Sequence, residues 1–151
     1  KLDDKSRWGM TQIGLGLTHY NAGNLLQARD CYLRAHTVAE RLHDRLQIAM
    51  IQGNLALIYV AQSDYDKATE HFTSAINLYE QVGDKVWSLY NMEGLTSCYI
   101  KQKKYKEARG ILLKIRHELP QISTSPYYKS LCQLIEDHWD FLQNVASENS
   151  V

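Results

Sequence analysis

The chain has 151 residues, enough for one domain or one compact array that buries roughly 70 % of the surface its unfolded form exposes. Its 17 basic and 17 acidic side chains cancel, which argues against general binding to nucleic acid or acidic membranes, where affinity comes from neutralising phosphates. With 44% hydrophobic residues and only two prolines, it reads as an ordered globular chain and not a disordered one.

Cys31, Cys98 and Cys132 are too few and too scattered for a disulfide framework. Reduced thiols and a cytoplasmic location are the expectation. No run of about 18 apolar residues occurs, so no membrane span is expected. The opening KLDDKSRW has neither an initiator Met nor an apolar signal core, and reads as a fragment of a longer protein or a processed product.

In chain order, the first unit covers about residues 5–43 and carries two helical patterns around the polar break Ala22-Gly23-Asn24. The second unit, about 44–83, is the clearest. Ile51, Leu55, Ile58 and Tyr59 fall at helical spacing, and Tyr65, Ala68, Phe72, Ala75, Ile76 and Tyr79 do so again after the break Gln62-Ser63-Asp64. The third unit, about 84–119, breaks at Gln102-Lys103-Lys104. A three-residue break makes neighbouring helices antiparallel. Asp44 and Asp84 sit where an N-cap is wanted, and Gly83 suits the helix end before one of them.

The units repeat. Shifted by 40 residues, Ala28, Ala68 and Ala108 align, as do Tyr32, Phe72 and Leu112, and Leu15, Leu55 and Leu95. The joints align as well, at Asp4, Asp44 and Asp84 and again at Lys5, Arg45 and Lys85. A fixed period of this size means stacked supersecondary units. Small residues at Ala56 and Ala68 let two antiparallel helices approach, while large ones at Tyr59, Tyr65 and Phe72 fill the space beside the crossing. The match of Leu2-Asp3-Asp4-Lys5 to the later joints carries the expectation of another repeat upstream, with open repeat edges that can self-associate.

After the two prolines, Ser125 with Pro126 at a first helical position predicts a helix over 125–144. It is either a capping helix or the first helix of a fourth, degenerate repeat. The tail, 145–151, is expected to fray.

The alternation Ala56…Tyr59…Tyr65…Ala68…Phe72…Ala75 resembles the tetratricopeptide repeat family, as do Gly16…Gly23…Ala28…Tyr32…Ala35 and Tyr99…Tyr105…Ala108. The resemblance covers roughly residues 5–118. It departs at His19, in an aromatic position, and at Leu112 and Ile115. The long period, with Gly-Asp-Lys at a joint, is similar to Pins-type adaptors, kinesin light chains and bacterial peptide-sensing regulators. It implies an all-α solenoid of three helical hairpins plus a C-terminal helix, forming a single array over 1–144.

The resemblance further implies a concave groove lined by the first helix of each hairpin. Its contact positions map onto Met10, Ile13, Gly14, Leu17 and Tyr20, then Met50, Gly53, Asn54, Leu57 and Ala61, then Tyr90, Glu93, Gly94, Ser97 and Lys101. In peptide-binding members an Asn at the place of Asn54 holds ligand backbone with its amide; the plain alternative is an exposed polar residue. The cations of the family's carboxylate clamp are absent, since Ile13, Leu17, Tyr90 and Gly94 stand there. The implied function is a scaffold binding a peptide or protein partner, with the sensor domain of a bacterial transcription regulator as the alternative.

Nothing in the chain suggests an enzyme, a cofactor or a small-molecule substrate. Gly14-Leu15-Gly16 lies within a helical pattern and is no phosphate loop. No paired His-x-x-x-His or Cys-x-x-Cys occurs, so no metal is expected. Glu136-Asp137-His138 are neighbours that point apart on a helix. The basic run KQKKYKEAR, 101–109, reads as a solvated turn between two helices, with a patch for an acidic partner as the alternative.

Overall fold

The computed structural model of the chain describes the backbone of residues 2–148 and the side chains of residues 4–146. Six helices form three antiparallel hairpins: α1 (Leu2–Asn21) with α2 (Leu25–Arg41), α3 (Arg45–Ala61) with α4 (Tyr65–Val82), and α5 (Lys85–Lys101) with α6 (Tyr105–Glu118). A short 3-10 turn (Leu119–Ile122) leads to α7 (Tyr128–Glu148). No strand occurs among the described residues, and the all-α solenoid is the observed architecture. No described helix is long and apolar enough to cross a membrane.

The turns explain the regularity. Gly23, His43, Ser63, Gly83 and Lys103 all have positive φ, between 53° and 78°, and they recur every 20 residues. After each, the next N–H reaches back to a carbonyl: Asn24 to His19, Asp44 to Ala39, Asp64 to Tyr59, Asp84 to Tyr79 and Lys104 to Tyr99, all at 2.8–2.9 Å. This left-handed stop satisfies the carbonyls a helix end leaves open. The next helix then starts on the spot. Asp44, Asp64 and Asp84 accept N–H bonds from Gln47, Lys67 and Trp87 at 3.0, 3.3 and 3.1 Å. Asn24 and Lys104 stand in the same place and make no side-chain cap bond.

A contrast follows. Asp84→Ala is expected to lower stability by about 1 kcal/mol, the usual loss for an acidic cap. Lys104→Ala, at the equivalent place, should change it by less than about 0.5 kcal/mol, the range of ordinary surface substitutions. Urea denaturation followed by circular dichroism measures both, and equal losses would remove the capping argument.

The core runs as a ribbon along the array. Ala28, Ala35, Ala56, Ala68, Ala75 and Ala108 are fully buried, at the places where helix axes approach. Tyr32 packs with Ile13, Ile51, Leu55 and Ile58 across the first two hairpins. Phe72 packs with Leu89, Met92 and Leu95 across the second and third. A polar tie also joins the first two hairpins: Gln52 lies 2.6 Å from His71 Nδ1 and 3.5 Å from His36 Nε2. Burial pushes the His71 imidazole below its ordinary range.

The last helix departs from expectation at both ends. Ser125 and Pro126 form a turn and not the helix start. The Ser125 N–H is taken by the Ile122 carbonyl at 2.8 Å, and its hydroxyl accepts from the Tyr127 N–H at 3.2 Å. Regular helix begins only at Tyr128. At the other end, residues 145–148 of the expected frayed tail are helical; residues 149–151 lie outside the described residues. The α7 end is held beside α6, where Arg109 donates to the Leu142 carbonyl at 3.3 Å. Leu131, Ile135 and Leu142 are buried in the same cluster as Leu112, Ile115, Leu119 and Ile122.

Beside α5, α7 takes the place of a further first helix. Tyr90 meets Ser130 and Ser97 meets His138, at sequence separations of 40 and 41. Ser6 of α1 meets Gln47 of α3 at the same separation, 41.

Candidate functional site

The first helices α1, α3 and α5 share one side of the array and enclose an open cavity of about 440 Å³. Ile13 and Leu17 line it from α1, and Met50, Asn54 and Leu57 from α3. Tyr90 and Glu93 line it from α5, with Gly53 and Gly94 beside them. The other six sequence-predicted positions, Met10, Gly14, Tyr20, Ala61, Ser97 and Lys101, do not line this cavity. Met10 is exposed on α1. Tyr20 is half-buried against the core cluster around Tyr32. Ser97 is engaged by Glu93 and His138. Lys101 is exposed at the end of α5.

Phe72, Tyr79, Trp87 and Asn91 line the cavity without having been expected there. Trp87 was legible, since it lies one turn before Tyr90 and Asn91 on the same helical face. Phe72 and Tyr79 belong to the second-layer helix α4, and Phe72 reaches the groove floor through a glycine window. A Cβ on Gly94 would lie 2.5 Å from Phe72 Cζ. Likewise, a Cβ on Gly53 would lie 2.7 Å from the Asn91 side-chain oxygen. The glycines of the Gly14-Leu15-Gly16 run differ: a Cβ on Gly16 would meet the Tyr32 ring at 2.5 Å, whereas Gly14 faces open space.

The polar groups are few. Asn91 donates to the Trp87 carbonyl of its own helix at 2.7 Å. The Asn54 amide is half-buried and has no hydrogen-bond partner among the described residues. It can therefore donate and accept at once toward a ligand backbone. Trp87, Tyr90 and Tyr127 form an aromatic group at one end of the cavity, with ring centroids 5.6–5.8 Å apart. Tyr90 Oη sits 2.6 Å from Ser130 Oγ, which ties this end to α7.

Glu93 is the one charged residue among those lining the cavity. His138 Nε2 lies 2.8 Å from its Oε1, and Ser97 Oγ lies 3.4 Å from the same oxygen. The side chain is 17% exposed.

Burial pushes the Cys98 thiol up to about 11, so it holds little nucleophilic thiolate at neutral pH. Among the described residues no group of three His, Cys, Asp or Glu could hold a metal ion. The basic run turns between α5 and α6 with its lysines exposed, and Gln102 bonds Asp66 of the preceding hairpin at 2.7 Å.

Comparison with known proteins agrees with this architecture. A tetratricopeptide repeat family model matches residues 9–81 and, in an overlapping second placement, 47–115. The transcriptional activator NprA of Geobacillus stearothermophilus is 26% identical over 105 residues, 70% of this chain. This chain spans only 26% of that activator's length. Hairpins joined by one recurrent turn, buried alanines recurring at Ala28, Ala68 and Ala108, and a family match across 9–115 place the chain in the tetratricopeptide repeat family, to which it belongs.

Proposed function

We propose that this array is a non-catalytic recognition module that binds a peptide segment of a partner in its concave groove. Tetratricopeptide repeats are protein–protein interaction modules. The observation that carries the groove reading is the cavity of about 440 Å³, whose lining is mainly apolar and includes the unpartnered Asn54 amide. Its volume lies in the range that takes a compact ligand or a few peptide side chains. Leu57, Met50 and Trp87 supply anchors for apolar side chains, and Asn54 supplies a backbone clamp.

The similarity to NprA favours a second reading, in which the array senses a short peptide within a transcription regulator. A free peptide that binds alone supports the sensor; a segment that binds only within a larger protein supports the scaffold.

A paired pull-down tests the groove. One bait is the natural chain and the other carries Asn54→Ala with Leu57→Asp, both checked for equal helicity. A protein or peptide captured by the first should fall at least about tenfold with the second, since a buried charge and a lost clamp each weaken binding by 1 kcal/mol or more. Equal capture would move recognition to the convex face or the open edges.

A further inference from the structure

We propose that Glu93 makes the groove selective for a lysine side chain in the bound peptide. This rests on the groove reading above. Both partners of the carboxylate, His138 Nε2 and Ser97 Oγ, fall on Oε1. Oε2 makes no hydrogen bond or ion pair with another described residue. The fold thus fixes the carboxylate by one oxygen and leaves the other free, in a cavity that holds no other charged side chain.

Such an oxygen, on a side chain only 17% exposed and bordered by mainly apolar walls, favours a cation over a neutral or anionic group. Charge complementarity therefore names the occupant. Lysine fits better than arginine, because a single free oxygen suits a point charge, whereas a guanidinium fork works best on two. A lysine stem also suits the route. Its methylenes can lie along Leu57 and the faces of Trp87 and Tyr90 while the ammonium reaches the recessed carboxylate. A chain terminus would have to bring its backbone to the same depth. The ligand class is then an apolar peptide with one lysine flanked by hydrophobic anchors.

A bead library of random octapeptides, made in N-acetylated and free-amine forms, tests this with the whole chain. Selection is run on the natural protein and on Glu93→Gln. The glutamine keeps an oxygen that accepts from His138, so α7 stays seated. The natural protein should enrich lysine at one fixed distance from the apolar anchors in the acetylated library, about tenfold over input, the usual worth of a charged hydrogen bond. Glu93→Gln should lose the lysine and keep the anchors. Independently of any variant, acetylating the selected lysine should weaken binding to the natural protein by a similar factor.

Anchors without lysine, lysine retained by Glu93→Gln, or arginine in its place would overturn the lysine assignment. Enrichment confined to free amines would reassign Glu93 to a peptide N-terminus and overturn it too. If no peptide is enriched, the groove reading fails and the lysine proposal falls with it.

Discussion

Phe72→Ala should destabilise the protein by about 3–5 kcal/mol, the range for deleting a buried aromatic. Phe72 is only 3% exposed and packs at the centre of the larger core cluster, between the second and third hairpins. In a repeat array each unit is stabilised mainly by its neighbours. A void at this joint therefore weakens both hairpins together. Against a total of roughly 5–15 kcal/mol, the loss is a large fraction. Urea denaturation monitored by helicity reads it directly. A loss under about 1 kcal/mol would mean that the joint does not pack as described.

Gly94→Ala and Gly14→Ala should have opposite signs. Both replace a helical glycine, which alone favours alanine by about 1 kcal/mol. At Gly14 the new Cβ meets nothing within 4 Å, so the substitution should stabilise. At Gly94 it lies 2.5 and 2.7 Å from two carbons of the Phe72 ring, which is itself enclosed. Overpacking of that kind costs about 1–3 kcal/mol and outweighs the helical gain. A double-mutant cycle isolates the cause. In a Phe72→Ala background the clash is gone, and Gly94→Ala should turn neutral or stabilising. If it stays equally harmful there, the glycine is required for some reason other than the ring.

Much of the fold was legible because repetition makes weak signals add. Ala28, Ala68 and Ala108 mean little singly, but at a fixed spacing with Tyr32, Phe72 and Leu112 they specify a stacked hairpin. The turns were harder. Only Gly23 and Gly83 advertise the left-handed stop, while His43, Ser63 and Lys103 adopt it without a glycine. Asp64 caps α4 as Asp44 and Asp84 cap theirs, yet in the sequence it read only as part of a polar break. The start of α7 misled because Ser125-Pro126 is a local helix cue, and the preceding 3-10 turn claims that backbone first.

The groove was legible where it depends on one helical face, as at Met50, Asn54 and Leu57. It was not where it depends on layers. Phe72 and Tyr79 line it from α4, Phe72 because Gly94 opens the way, and no periodicity within one helix reveals that. The seat of Glu93 on His138 joins residues 45 apart, across a turn whose path the sequence does not fix.

The central claim is that the concave groove is where this protein meets its partner. The most direct measurement is site-specific photo-cross-linking in lysate of the source organism, with benzoylphenylalanine placed either at Leu57 or at Leu113. Leu57 lines the cavity, and Leu113 is exposed on α6 away from it. The account predicts a discrete cross-linked partner from position 57 and none from position 113. A partner captured at 113 and absent at 57 would contradict it.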